Sequence, residues 1–440
     1  MGGKEAGGGG MRGTQEACSL YVPIHQPEHP VNTARRTQGF RESVIRGMTR
    51  LAREYRSINL AQGFPNFPAP ELLKEAAARA IYDDINQYAI TWGAQRLREA
   101  LARKYHGWYG LEVDPEREIT VTCGATEAMI SALLALVNPG EEVIVFEPFY
   151  ENYGPDTILA DAKPVYVPLD PGKPLDIDRL SAAFSSRTRA IIVNTPSNPA
   201  GRVLTRAELE SVRDLCVQHD ALAITDEIYE HIRFEGEHVP IATLPGMRDR
   251  TVTISGASKT FSVTGWRVGW IVAPEELTGA IRKVHDFLTV GAPAPLQEGV
   301  AVALEQLDQA FYERLADDYR VRRDLLHGAL VQSGFRCTPP EGAYYILADF
   351  SGLALPGSER ALSDTEFAIW LSREIGVTPV PGSSFFRDGG DGGRGLVRFV
   401  FCKTDDILLE AARRLRTLSS TGTASSLRPF EPAARSGLQR

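Results

Sequence analysis

Lys259 stands in Ser255-Gly256-Ala257-Ser258-Lys259-Thr260-Phe261, directly after the apolar run Thr251-Val252-Thr253-Ile254. Most lysines are solvated surface charges. One that ends a buried strand among Ser, Gly and Ala suits an amine that forms an imine with a carbonyl compound and then moves protons. A Walker-type phosphate loop is excluded, because that motif needs Gly immediately before the lysine and this chain has Ser258 there. Downstream, Thr264-Gly265-Trp266-Arg267 supplies a guanidinium whose fork geometry fits a phosphate.

Asp226, in Ala223-Ile224-Thr225-Asp226-Glu227-Ile228-Tyr229, follows another apolar run. A carboxylate at a buried strand end is costly unless it meets a cation, such as a protonated ring nitrogen; the competing reading is a plain helix cap. Tyr229 could donate to a phenolic oxygen or simply fill the core. Asn198, in Asn194-Thr195-Pro196-Ser197-Asn198-Pro199-Ala200-Gly201, could reach the same oxygen, although Asn, Pro and Gly so arranged also mark a turn. Gly124-Ala125-Thr126 lies between a strand and a helix, where free amides bind phosphate. Phe149 ends its strand and could stack on a planar ring, and Arg398 is an arginine amid apolar residues in Leu396-Val397-Arg398-Phe399-Val400-Phe401. Its guanidinium suits a carboxylate bound by two parallel hydrogen bonds.

Placing these residues requires strands. Ile119–Thr122, Val143–Phe146, Val165–Val167, Ala190–Val193, Leu222–Thr225, Thr251–Ile254 and Val268–Val272 read as short buried strands. Helices separate most of them, including Glu127–Val137 and the one opened by the capping box Thr205-Arg206-Ala207-Glu208. This alternation predicts an α/β fold with a mostly parallel sheet covered on both faces, where ligands gather at the carboxyl ends of strands. Gly124, Phe149, Asn198, Asp226 and Lys259 all fall at such ends. Beyond Pro293 a helical stretch runs to about Val331. A smaller α+β unit follows, with strands at Gly342–Leu347, Val377–Val380 and Leu396–Phe401 and helices at Asp364–Ile375 and Thr404–Leu415.

Composition narrows the class. Hydrophobic residues make up 43% and charged residues 24%, ordinary for a globular enzyme, and the net charge of −8 argues against a general nucleic-acid binder. The five cysteines are scattered and never form C-x-x-C, which fits a reducing compartment and argues against a disulfide framework or a zinc site; no metal site is expected. His25 and His29 lie in a Pro-rich segment and read as solvated. No apolar run reaches the ~18 residues of a membrane span. The Gly-rich start has no secretory pattern, so a cytoplasmic protein is expected. Residues 1–37 read as a disordered arm, or one lying on a partner subunit, and 418–440 as a flexible tail.

Taken in order, Ile58–Pro68, Gln87-Tyr88, Val121–Thr126, Phe146–Tyr153, Asn194–Gly201, Thr225–Tyr229, Gly256–Trp270, Glu341–Tyr345 and Val397–Phe401 resemble the class I/II aminotransferases of pyridoxal-phosphate fold type I. The nearest resemblance is to the branch holding kynurenine aminotransferases, glutamine transaminase K and cysteine-conjugate β-lyases. It covers roughly residues 38–417. It implies a seven-stranded large domain at 76–292, a small domain built from 38–75 and 293–417, and pyridoxal 5'-phosphate as cofactor. By the resemblance, Lys259 is the Schiff-base lysine, Asp226 pairs with the ring nitrogen, Asn198 and Tyr229 hold the ring hydroxyl, and Phe149 stacks on the ring. Gly124, Ala125, Thr126, Arg267 and Ser258 or Ser255 hold the phosphate, together with Tyr88 of the neighbouring subunit of a homodimer. Arg398 and Gly63 hold the substrate carboxylate; Phe40, Phe64 and Tyr345 are the aromatic candidates for the substrate pocket. Two departures stand out. Gly256 occupies a position where the family often has a phosphate-binding serine, and Arg41–Arg46 offers no pocket-lining aromatic, so kynurenine specificity is not carried over.

The expected activity is transfer of an amino group between an L-amino acid and a 2-oxo acid. The alternative keeps the cofactor and changes the outcome to β-elimination, decarboxylation or oxidation. A transcription regulator on this fold is disfavoured, because the head has no basic helical pattern.

Overall fold

The computed structural model describes residues 33–37, 40, 42–353, 362–388 and 390–420. Most of the expected arm and tail, with Cys18, His25, His29, Arg41 and Gly389, lies outside the described residues. The chain divides into two compact units, Met1–Phe40 and Arg41–Arg440. In the first, Arg35–Thr37 form a 3-10 turn, and Phe40 is half-buried.

The second unit begins with α1 (Val44–Glu54), β1 (Ile58–Asn59), α2 (Glu71–Tyr82) and α3 (Gln95–Tyr109). There follow β2 (Ile119–Thr122), α4 (Ala125–Leu136), β3 (Glu142–Glu147), α5 (Tyr153–Leu159), β4 (Lys163–Pro168), α6 (Ile177–Ala183), β5 (Thr188–Asn194), α7 (Arg206–Gln218), β6 (Leu222–Asp226), β7 (Thr251–Gly256), α8 (Ala257–Thr260) and β8 (Gly269–Val272). The rest is α9 (Glu275–Leu288), α10 (Ala294–Gln306), α11 (Gln309–Gln332), β9 (Tyr345–Asp349), α12 (Asp364–Trp370), β10 (Val377–Thr378), β11 (Val380–Pro381), β12 (Leu396–Val400), α13 (Asp405–Leu415) and α14 (Thr417–Ser420).

Strands β2 to β8 form the expected seven-stranded sheet, in the order β2-β8-β7-β6-β5-β3-β4. Only β8 runs against its neighbours β2 and β7; the other pairings are parallel. Parallel strands covered by helices bury both faces, so their apolar runs are continuous rather than alternating. Every residue of β3, β6 and β7 is accordingly buried, while the edge strand β4 is not. Helices α4 and α9 pack on one face with Val143, Val145, Ile192, Ile224 and Ile254. On the other face α6 and α7 cover Ile144, Ile191, Val193 and Ala223. Each valine or isoleucine among them taken wholly out of water contributes about 1.5–3 kcal/mol.

A second layer holds the antiparallel sheet β11-β12-β9 and the pair β1-β10. Its core, drawn from α1, α11, α12 and α13, includes Ile228 and Tyr229 just beyond β6. The carboxyl ends of the main sheet therefore face this second layer. Three details differ from the sequence expectation. The stretch after Pro293 is two helices, because Asp308 caps α11 through the amide of Phe311. Val377–Val380 divides into β10 and β11 around Pro379, which has no N–H to give a ladder. The helix from Asp364 ends in a π turn at Leu371–Ile375, closed by Gly376 in the left-handed region. Among the described residues no helix is long and apolar enough to cross a membrane.

Candidate active site

A cavity of about 510 Å³ opens where β6, β7 and α4 meet the second layer. Lys259, Asp226, Tyr229, Asn198, Arg398, Arg267, Ser258, Ala125, Thr126, Gly63 and Tyr345 all line it. Lys259 sits on α8, the single turn that follows β7. Its Nζ donates to the Gly63 carbonyl at 3.3 Å, and the Tyr344 hydroxyl donates to the same oxygen at 2.9 Å. Burial, helped by the positive charges of Arg267 and Arg398, lowers the Lys259 amine to about 8 against the opposing pull of Cys402 and Asp226. An amine so placed exchanges protons near neutral pH far more readily than a surface lysine.

Asp226 ends β6. Tyr153 Oη donates to its Oδ2 at 2.7 Å and the Ile228 amide to its Oδ1 at 3.3 Å. Burial raises its carboxyl above the usual range, opposed by the Tyr153 and Ile228 donors and by the charge of Lys259. A cation brought against it would reverse that penalty. Asn194, at the end of β5, donates to the Asp226 carbonyl at 2.8 Å and accepts from the Asn198 amide at 2.7 Å, so the two strand ends are tied together. Tyr229 Oη lies 2.7 Å from Tyr345 Oη.

Arg398 comes from β12 and is fully buried. One nitrogen donates to Asn198 Oδ1 at 2.9 Å and another to the Ala61 carbonyl at 2.6 Å. The guanidinium lies between the rings of Tyr345 and Phe385, 4.5 and 4.7 Å from their centroids. Its Nε has no hydrogen-bond partner. A buried, oriented guanidinium with unused donor capacity is suited to a carboxylate entering from the cavity.

The opposite end of the cavity fits a phosphate. The first amides of α4 have no acceptor within their own helix. Gly124, with φ 82, turns the chain from β2 into that helix, and any side chain here would meet the Arg267 guanidinium. Arg267 is itself in the left-handed region, φ 56, and donates to the Thr264 carbonyl at 3.0 Å and the Cys123 carbonyl at 3.4 Å. Gly256 is accounted for by crowding: a Cβ there would lie 3.1 Å from Gly269 Cα, Ile228 Cδ1 and the Val268 carbonyl. The Arg267 cation, the free amides of α4 and Ser258, together with the Asp226 carboxylate and the Lys259 amine on the same cavity, match the phosphate, ring nitrogen and aldehyde of pyridoxal phosphate.

Several expected residues lie elsewhere. Phe149 does not line the cavity; it is buried against Tyr166, with centroids 5.2 Å apart and planes at 25°. Tyr150 and Tyr153 present the aromatic surface from that loop instead. Ser255 donates to Glu230 Oε1 at 2.8 Å and does not line the cavity, whereas Ser258 does. Gly124 shapes the turn without lining the cavity, and Tyr88 is exposed. Sequence reasoning missed Tyr150, Tyr153, Met129, Gln62, Arg46 and Asp156; the dense aromatic run Phe149-Tyr150-Glu151-Asn152-Tyr153 was the available signal for the first two.

Sheet, cavity and strand-end lysine define an α/β enzyme of pyridoxal-phosphate fold type I. More narrowly, the chain belongs to the class I and II aminotransferases, whose family profile matches residues 55–415. It is 40% identical over 398 residues to the probable N-succinyldiaminopimelate aminotransferase of Mycobacterium tuberculosis, covering 88% of this chain and 98% of that protein. Identity to the methionine aminotransferase of Escherichia coli is 39%, over 86% of this chain and 96% of the relative. For the kynurenine–oxoglutarate transaminase of Dictyostelium discoideum the identity is 37%, over 86% and 94%. The solved structure of the Mycobacterium enzyme superposes with a TM-score of 0.84, covering 88% of this chain and all (100%) of that one. The chain is thus a transaminase of a pyridoxal-phosphate-dependent family.

Proposed function

We propose that amino-group transfer between an L-amino acid and a 2-oxo acid is carried out here with Lys259 as the proton carrier and Arg398 as the carboxylate anchor. The observation that carries this reading is the convergence of a buried amine lowered to about 8, a buried carboxylate and a buried guanidinium on one cavity. When bound, pyridoxal phosphate supplies an electrophilic aldehyde carbon and a ring that withdraws electrons from the substrate's α-carbon. Asp226, held by Tyr153, keeps a proton on the ring nitrogen. Asn198 and Tyr229 would hold the ring hydroxyl, and Tyr150 would supply an aromatic wall beside the ring. Ala125, Thr126, Ser258 and Arg267 bind the phosphate. Arg398 would orient the substrate so that its α C–H faces Lys259 Nζ, and that amine would take the proton and hold it for return across the substrate nitrogen. Orientation of this kind decides which bond to the α-carbon breaks, and so separates transamination from elimination or decarboxylation.

We place the cofactor-holding domain at 76–292 and the smaller domain at 38–75 with 293–417. A homodimer is proposed, with Tyr88 of the partner subunit completing the phosphate site. In its support, Tyr82, Ile85, Tyr88 and Ile90 are exposed beside the exposed end of α9, Phe287, Leu288 and Val290. His285 ties the two segments by donating from Nε2 to the Thr91 carbonyl at 2.8 Å. A reducing, cytoplasmic setting is in keeping with the free state of Cys123, Cys216, Cys337 and Cys402; recovery of the protein from another cell fraction would contradict it.

The test is the half-reaction. Loaded enzyme mixed with single amino acids, without an acceptor, should give at most one equivalent of 2-oxo acid per site and a matching change in the visible band. Continuous release of oxo acid and ammonia would instead show elimination or oxidation.

A further inference from the structure

Asp156 lines the same cavity but has no place in the reading above. It stands one turn beyond Tyr153 on α5 and is 7% exposed. Its Oδ2 has no hydrogen-bond partner, and burial alone pushes its carboxyl up to about 7. A buried carboxyl that no donor or cation satisfies is uncommon, and points to a partner that arrives with a ligand.

Its surroundings indicate which part of the ligand. Tyr153 on the same helix, Tyr150 and Glu151 from the preceding loop, and Asp226 from β6 are the titratable groups on this wall; α4 presents only the non-ionising Thr126 and Met129. The cations Arg46, Lys259, Arg267 and Arg398 also line the cavity, and none of them offsets the burial of Asp156. Burial first, then Glu151 and Tyr345, and after them Asp226 and Asp156, raise the Tyr150 hydroxyl; for Tyr153 burial is followed by Asp226, with Tyr150 and Asp156 smaller. Tyr153, whose hydroxyl donates to Asp226 at 2.7 Å, stands one turn before Asp156 on α5, so Asp156 lies on the Asp226 side of the cavity.

We propose that Asp156 is a second acid at the ring-nitrogen end of the site, whose charge reinforces Asp226 in holding the protonated nitrogen of bound pyridoxal phosphate. The inference rests on the reading of Asp226 given above. Its consequence is a pH dependence. With the carboxyl neutral on the acid side of neutrality, Asp226 acts alone; once it ionises, the two charges act together and the cofactor is held more tightly.

The experiment measures the dissociation constant of pyridoxal phosphate from the apoprotein by equilibrium dialysis, from mildly acid to mildly alkaline pH. It compares wild type, Asp156→Asn, Asp156→Leu and Asp226→Asn. The ratio of dissociation constants, Asp156→Asn over wild type, should be near unity at the acid end and rise by about five-fold or more at the alkaline end, the lower bound of an ordinary coupling between sites. A ratio that stays flat overturns the inference. Asp226→Asn should bind weakly at every pH; if it binds as wild type does, the reading of Asp226 fails instead. Because the carboxyl has no protein partner, both Asp156 variants should melt no lower than wild-type apoprotein. If both melt lower or do not fold, the carboxyl has a structural partner and the inference is wrong.

Discussion

Removing the amine of Lys104 should destabilise the fold and loosen the turn behind the site. Lys104 on α3 donates to Glu230 Oε2 at 2.6 Å, and the two side chains are only 4% and 2% exposed. Tyr109 donates to the same oxygen and Ser255 to the other. Glu230 follows Tyr229 directly, and Ser255 lies on β7 just before Lys259, so this buried carboxylate ties the segments carrying Tyr229 and Lys259 to α3. Burial favours the neutral carboxyl, but Lys104 leads a set of positive groups that overcome it and hold Glu230 far below the usual carboxylate range. Lys104→Met keeps the stem and deletes the charge. Breaking one side of a buried pair costs about 3–5 kcal/mol. The two donors that remain place this case near the lower figure.

The pH dependence has a definite sign. A depressed carboxyl contributes stability that is present above its unfolded value and lost as pH falls toward the folded one. In Lys104→Met most of that depression is gone. The gap between variant and wild type should thus be full near neutral pH and narrow as pH falls below the carboxylate range. Adding Glu230→Gln removes the stranded charge while keeping an acceptor for Ser255, and should recover most of the loss. Urea unfolding at several pH values measures all of this. A cost below about 1 kcal/mol at neutral pH, the level of an exposed pair, or a gap that does not narrow in acid, would refute the reasoning.

Arg398→Lys should lower kcat/KM by about a hundred-fold, about 2.7 kcal/mol, chiefly through KM, because one ammonium cannot serve Asn198, Ala61 and a substrate carboxylate together. Steady-state kinetics that leave KM unchanged would remove Arg398 from carboxylate binding. The dimer reading turns on Tyr82, Tyr88 and Phe287, which are 85%, 87% and 90% exposed in the single chain. Sedimentation should show a wild-type dimer and a monomer for Phe287→Asp combined with Tyr82→Asp; a monomeric wild type contradicts it.

Much of the fold was legible because fully buried parallel strands carry continuous apolar runs, and the polar residues that end them stand out. Lys259, Asp226 and Asn198 were found in that way, and the structure brings them to one cavity. Facing was harder to read. Beyond the end of β3 the side chains follow no strand alternation, so Phe149 and Tyr150 could not be told apart: one stacks on Tyr166 in the core and the other lines the cavity. Ser255 and Ser258 pose the same problem, since β7 gives way to α8 between them and the two hydroxyls diverge. The break at Leu307-Asp308 was hidden because the residues around it keep a helical pattern across a capping aspartate. Asp156 carried no signal, since a lone acid in a short helix is ordinarily solvated.

The central claim is that Lys259 is the residue to which the cofactor is covalently joined. Borohydride reduction of the loaded enzyme, followed by proteolysis and mass spectrometry, tests it directly. A pyridoxyl group is expected on the peptide carrying Lys259, with no label on Lys259→Ala treated in the same way. A label on another lysine, or an unmodified Lys259 in fully loaded enzyme, would contradict it.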